Sequence, residues 1–257
     1  MDSELTRTAV VAVLVLSSLS IISMLLGVVL AIHTSRQRRT IALGMGFSVG
    51  IMLLVSFAEL IPQALNDAGM AEVFAAVLAG MLVVAMLHWV IPHTHLFRET
   101  SGFGEGAQRR IALRSAYLVA FGLILHDVPE GFAMANSYIA SASMGVLVAL
   151  AIAIHNIPEE FAMALPIVTA KSRRFLYTAA LLSGLAEPLG AVIGLVAVHY
   201  NPSLNAIFMA FAAGAMVFVS IHELIPMARR YGRPVLFTLG ACSSLVVYLL
   251  LFLALPA

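Results

Sequence analysis

Residues 123–135 read LILHDVPEGFAMA, and residues 151–164 read AIAIHNIPEEFAMA. In each stretch a histidine stands four residues before a glutamate, His126 before Glu130 and His155 before Glu159. Four residues is slightly more than one helical turn, so on a helix both groups of a pair face the same way. Aligned at an offset of 29, residues 126–135 and 155–164 share seven of ten residues, namely His, Pro, Glu, Phe, Ala, Met and Ala. That is a duplication with the polar groups inside the duplicated part. Both copies lie in long apolar runs, where an ionised carboxylate is expensive.

The chain around them is built for such surroundings. Of its 257 residues 61% are hydrophobic and only 11% are charged, with a mean hydropathy of +1.02. A soluble domain carries roughly 25% charged residues, so this composition lacks the polar surface that water requires. The reading is an all-α integral membrane protein. Apolar runs separated by polar or basic punctuation predict eight transmembrane helices, at residues 8–32, 41–64, 71–92, 113–137, 142–166, 175–199, 204–227 and 234–256. The chain is read as one transmembrane domain, residues 1–257, with a loop at 93–112. The first apolar run is longer than a signal-peptide core and lacks an obvious small-residue cleavage site, so it is expected to stay as a span.

Charge sets the expected orientation. Thirteen of the fourteen Lys and Arg residues fall after spans one, three, five and seven; Arg7 alone lies on the other side. By the positive-inside rule those four connections, the 93–112 loop included, are cytoplasmic, and both termini face out. The net charge of +1 and the absence of a basic run with interleaved aromatics give no sign of nucleic-acid binding. The single cysteine, Cys242, excludes an internal disulfide.

A second repeat has a specific geometry. GFSVGIMLLVSFAELIP at 46–62 and AFAAGAMVFVSIHELIP at 210–226 agree at nine of seventeen positions. Span two is expected to run outward and span seven inward, so the same SxxELIP ending lies near opposite faces. Spans four and five, which carry the first repeat, are likewise antiparallel. Inverted repeats around a central pair expose a midplane site alternately to either side, and that points to transport.

Seven of the thirteen acidic residues fall inside predicted spans: Glu59, Asp127, Glu130, Glu159, Glu160, Glu187 and Glu223. Placing all of them at bilayer depth costs roughly 20 kcal/mol before compensation, and nearly every Lys and Arg is in a loop or at a margin. Protons, water-filled space or bound cations must then supply the counter-charge. Two His and two Glu on neighbouring antiparallel helices favour the cation, because imidazole with carboxylate suits zinc, iron or manganese. Pro129 and Pro158 remove amide donors and free carbonyls near residues 125 and 154, adding oxygens to the site. Glu187 before Pro188 repeats the combination on a third span. Isolated groups read more plainly. His33 and His199 are expected at the interface, and the methionines in packing, whereas His93 and His95 have the spacing to bind metal where span three enters its loop.

At these residues the sequence resembles the ZIP family of divalent metal transporters, in its bacterial branch. HDVPEG at 126–131 and HNIPEE at 155–160 are similar to the family's fourth and fifth helix signatures, ordinarily HNxPEG; SGLAEPLG at 183–190 resembles the sixth, and SFAELIP and SIHELIP the second and seventh. The resemblance implies eight helices in a 3+2+3 inverted-repeat arrangement with both termini outside. It implies a primary metal site of His126, Glu130, His155 and Glu159, and an adjacent second site completed by Asp127, Asn156 and Glu187, with Glu130 and Glu159 bridging. His222 and Glu223 match polar groups near the inner pathway, and His93 and His95 match a metal-binding third loop. Import of divalent metal into the cytoplasm is implied, zinc first and also iron(II), manganese and cadmium, by an elevator-like movement against a scaffold of spans two, three, seven and eight. A homodimer follows by the same analogy.

Two departures stand out. Asp127 replaces the family's usual Asn, and Glu160 replaces the Gly that follows the second Glu. Glu160 is one position off the ligand face of span five and either lines the pathway or contacts another helix. Against the importer of the cytoplasmic membrane stand an intramembrane metal-dependent hydrolase and a proton-coupled exporter. The hydrolase needs an activated water and a free general base. No HExxH supplies them, since His222 and Glu223 are followed by Leu, Ile and Pro.

Overall fold

The computed structural model describes residues 3–34, 38–90, 120, 121, 124, 127–169, 171–229 and 231–254. Helices make up nearly all of these. Helix α1 (Ser3–Ser17) and helix α2 (Leu19–Thr34) together form the first expected span, interrupted at Ser18. Serines cause the interruption. The Ser17 and Ser18 hydroxyls both donate to the Leu14 carbonyl, at 3.2 and 2.7 Å, and Ser20 donates to Ser17 at 2.6 Å. Hydroxyls that compete for helical carbonyls bend the helix.

Helix α3 (Arg38–Leu54) widens into a π-helical turn, Val55–Leu60, and continues as α4 (Ile61–Asp67). Helix α9 (Leu204–Val219) does the same through Ser220–Leu224 into α10 (Ile225–Arg229). In both, a proline, Pro62 or Pro226, stands two residues beyond the widened turn. A residue without an amide hydrogen cannot complete the regular ladder, and the preceding turn opens. The two copies of SxxELIP therefore share a backbone irregularity as well as letters.

The remaining elements are α5 (Met70–Val90), α6 (residues 127–140), α7 (Ala142–Thr169), α8 (Arg173–Tyr200) and α11 (Pro234–Ala254). Gly232, with φ +64°, reverses the chain between α10 and α11. That is a left-handed conformation glycine enters without strain. Among the described residues, six helices are long and apolar enough to cross a membrane: Arg7–His33, Arg39–Asp67, Ala142–Leu165, Arg173–Tyr200, Leu204–Arg229 and Pro234–Ala254. The expected third span is represented by α5, apolar over Met70–Met86, and the fourth by α6. The first half of the fourth span, the 93–112 loop with His93 and His95, and most of the arginines flanking it lie outside the described residues.

The polarity of the molecule is inverted relative to a soluble domain. Leu181, Leu185 and Leu189 of α8 and Val246, Leu250 and Leu253 of α11 are exposed, while Ser48, Asp127, Glu130, Asn136, His155, Glu159 and Glu187 are buried. Lipid rewards such a distribution and water penalises it.

Small residues bring the helix backbones together. A Cβ on Gly46 would collide with the Phe237 carbonyl and one on Gly240 with that of Leu43, which joins α3 to α11. The same exchange at Gly80 and Phe211, and at Gly214 and Val77, joins α5 to α9. Gly131 meets the Glu187 carbonyl and Gly190 that of Val128, joining α6 to α8, and Gly27 lies against α7 at Ile157 and Glu160. Apolar association in lipid has no hydrophobic drive, so such close contacts carry the packing. These contacts pair α3 with α11, α5 with α9, α6 with α8 and α2 with α7. Helix α3 also packs on α7, where Gly44 abuts the Pro158 ring, 2.7 Å from a Cβ built on the glycine.

Candidate metal centre

Helix α7 supplies most of the polar groups, and its spacing decides where they go. His155 and Glu159 share one face, and Asn156 and Glu160 share the face about 100° further round. All four are buried. Pro158 stands on the same stretch, and two carbonyls in the turn before it are taken by hydroxyls of other helices: Ser48 of α3 donates to the His155 carbonyl at 2.9 Å, and Ser23 of α2 to that of Ala153 at 2.6 Å. The carbonyl oxygens near the proline are thus held by neighbouring helices.

The imidazole of His155 is fixed at both nitrogens. Nδ1 lies 2.8 Å from the Ala151 carbonyl, which can only accept, so Nδ1 carries the hydrogen. Nε2 then turns its lone pair on Glu130 Oε1 of α6, 3.0 Å away, with both side chains 0% exposed. A lone pair and a carboxylate at that distance in a dry interior require a positive charge between them or a proton on one of them. Glu159 completes the group: ligand atoms of Glu130, His155 and Glu159 all lie within 4.8 Å of one another. One imidazole and two carboxylates around one point is a donor set for a first-row divalent ion. His126, expected as a further ligand, lies outside the described residues.

A second constellation adjoins the first. Asn156 donates from its amide to Glu187 Oε2 of α8 at 3.3 Å, and the Ser20 hydroxyl of α2 is also in reach of Glu187. Glu130 and Asp127 both act electrostatically on Glu187, which is 1% exposed. The carbonyl oxygen of Asn156 is buried and has no hydrogen-bond partner among the described residues. Asp127 accepts from Ser183 of α8 at 2.6 Å, and Ser183 also touches Glu160 Oε1. Of the two alternatives open for Glu160, the contact with another helix is the one observed.

The outlying candidates stand apart from this group. Among the described residues, the only set of three or more metal-type side chains close enough to share an ion is Glu130, His155 and Glu159. Glu59, in the first π-helical turn, accepts from the Tyr248 hydroxyl of α11. His222, in the second, is exposed and stacks on Phe218 with ring centres 4.4 Å apart, and Glu223 beside it is half-buried. Sequence reasoning missed the serines. Ser20, Ser23, Ser48 and Ser183 are small polar residues inside apolar runs, which was the available signal.

Comparison with known proteins bears on the family of the chain. A family model described as ZIP Zinc transporter matches residues 93–254. The chain is 36% identical over 256 residues to a protein named Zinc transporter ZupT from Streptococcus mutans, an alignment covering 93% of this chain and 97% of that protein. Proteins of the same name from Corynebacterium efficiens and Chlorobium phaeovibrioides are 36% and 38% identical, over 88% and 87% of this chain and 91% and 89% of theirs.

Proposed function

The chain belongs to the ZIP zinc transporter family, and we propose that it carries divalent transition-metal ions, zinc first and also iron(II), manganese and cadmium, across the cytoplasmic membrane into the cell. The observation that carries this reading is the buried convergence of His155 Nε2 with Glu130 and Glu159, a nitrogen and two carboxylates that suit a divalent ion. His126 would add a second imidazole, and Asp127, Asn156 and Glu187 the adjoining second position.

In this reading the metal is cargo and no covalent bond is made or broken. His155 presents Nε2 because the Ala151 carbonyl holds the proton on Nδ1. Glu130 and Glu159 neutralise the ion, so that a dication enters an apolar medium as a nearly neutral complex. Release follows when the site opens inward and water replaces the carboxylates. The eight spans adopt the 3+2+3 inverted-repeat arrangement with both termini outside, and the site-bearing helices α2, α6, α7 and α8 move as an elevator against α3, α5, α9 and α11. Two features support that division: the backbone-close glycine contacts fall within each set, and the repeated π-helical turns both lie in the second.

The test is uptake into proteoliposomes containing a metal-sensitive dye, with zinc, iron(II), manganese and cadmium, for the native protein and His155→Ala. Saturable flux lost in the variant upholds the proposal. Native protein that binds metal yet gives no flux under either gradient overturns it.

A further inference from the structure

Two adjoining cavities lie where α3 begins and α10 passes into α11, and no residue of the His155 group lines either one. The first, about 360 Å³, is lined by Arg39 of α3, by Arg233 just before α11, and by Val235 and Leu236 in the first turn of that helix. The second, about 430 Å³, is lined by Arg229 of α10, by Arg233 again, and by Ile225 and Phe237. Arg233 and Pro234 belong to both, so the cavities share a wall.

Their lining has two halves of opposite character. Arg39, Arg229 and Arg233 are exposed, and among the described residues no acidic side chain lines either cavity. Packing holds the three segments together, since α10 lies on α3 and the Phe237 carbonyl of α11 lies against Gly46 of α3. The Arg233 carbonyl accepts the Phe237 amide at 3.1 Å, which makes Arg233 the residue that caps α11. A guanidinium can only donate, so this cap offers no side-chain acceptor to the first-turn amides of Val235 and Leu236. Guanidinium donors and the positive end of a helix thus meet, and an anion answers both. The other half is apolar, formed by Ile225, Val235, Leu236 and Phe237. A free phosphate would leave that half uncovered. A ligand with a phosphate at one end and hydrocarbon at the other covers both, and at the edge of a membrane that ligand is a phospholipid.

We propose that these cavities bind an anionic glycerophospholipid: Arg233 takes the phosphate, Arg39 and Arg229 flank it, and Ile225 and Phe237 cover the first carbons of the acyl chains. A headgroup of net negative charge is preferred over a zwitterionic one, because the positive group of the latter would face further guanidinium groups. The inference uses the membrane character of the chain and does not depend on what the chain carries.

Native mass spectrometry of the purified full-length protein in detergent tests it, by measuring lipid retained at graded additions of phosphatidylglycerol or of phosphatidylcholine with the same acyl chains. Phosphatidylglycerol is expected to be retained at concentrations about fivefold lower or more, the scale of one arginine at an anionic lipid surface. Arg233→Gln should remove most of that difference, Arg39→Gln and Arg229→Gln less of it each, and Arg233→Lys, which keeps the charge, should restore part. Arg173→Gln, at an exposed arginine that begins α8 and lines neither cavity, should change nothing. Equal retention of the two lipids by the native protein overturns the inference. So does an unchanged preference in folded Arg233→Gln, or a loss in Arg173→Gln as large as in Arg233→Gln, which would mark diffuse surface charge. Displacement of phosphatidylglycerol by an equal concentration of inorganic phosphate would mark a small-anion site and overturns it too. Each of these outcomes leaves the proposed metal transport intact.

Discussion

His155 Nε2 lies 3.0 Å from Glu130 Oε1, and neither side chain has any exposed surface. The two residues belong to different copies of the repeated signature and come from different helices, so the contact joins the two copies.

Glu130→Gln is expected to weaken zinc binding by at least about tenfold, equivalent to ~1.4 kcal/mol, because a neutral amide replaces a ligand charge of the same shape. Calorimetric titration of folded protein in detergent checks this. Zinc affinity equal to that of the native protein would remove Glu130 from the site.

Adjacent residues should behave differently. Glu159→Gln is expected to cost zinc affinity more than Glu160→Gln, since only Glu159 shares the point occupied by Glu130 and His155. Equal losses from the two would mean that the faces of α7 are assigned wrongly.

Zinc binding should release protons, and acidification should weaken it, because imidazole nitrogen and carboxylate oxygen coordinate only after giving up a proton. Titration in weak buffer with a pH indicator measures the release. A zinc affinity that stays constant as the solution is acidified would contradict a His/Glu ligand set.

Gly131→Ala and Gly232→Ala separate steric from conformational cost. A Cβ on Gly131 collides with the Glu187 carbonyl oxygen, whereas one on Gly232 meets nothing within 4 Å and is opposed only by its φ of +64°. The first should destabilise by about 1–3 kcal/mol, as overpacking does, and should disturb the metal site by displacing α8 from α6. The second should cost about 1 kcal/mol and leave metal binding alone. Thermal melts in detergent with parallel zinc titrations distinguish them, and equal effects would mean that the α6–α8 approach is not tight.

Tyr248→Phe removes the hydroxyl that Glu59 accepts. A loss of about 1 kcal/mol in stability is expected, the usual net worth of one hydrogen bond, with zinc affinity unchanged. A melt shows the first and a titration the second; weakened zinc binding would tie the α3–α11 pair to the site more closely than the contacts indicate.

Membrane character and most helix positions were legible in the chain because they depend on local composition. Twenty apolar residues need a bilayer whatever their neighbours do. The π-helical turns were half legible. The repeated SxxELIP showed that the two segments are alike, and its proline marked an irregularity, but whether the ladder would kink, break or widen depends on what packs against Leu60 and Leu224. The break at Ser18 was legible in hindsight only, from four serines within seven residues, Ser17, Ser18, Ser20 and Ser23.

The sequence by itself determined that α7 would present His155 with Glu159 on one face and Asn156 with Glu160 on the next, since helical spacing is a property of the backbone and needs no partner. Family membership followed from the same local signatures. Only the tertiary structure decided what those faces meet: Glu130 against His155 across 25 residues of chain, Ser183 against Glu160 across 23 and against Asp127 across 56, and Ser48 against the His155 carbonyl across 107. Such meetings are set by which helices pack backbone to backbone, as Gly131 and Gly190 allow for α6 and α8. That choice is made by shape over the whole bundle and is written in no single segment.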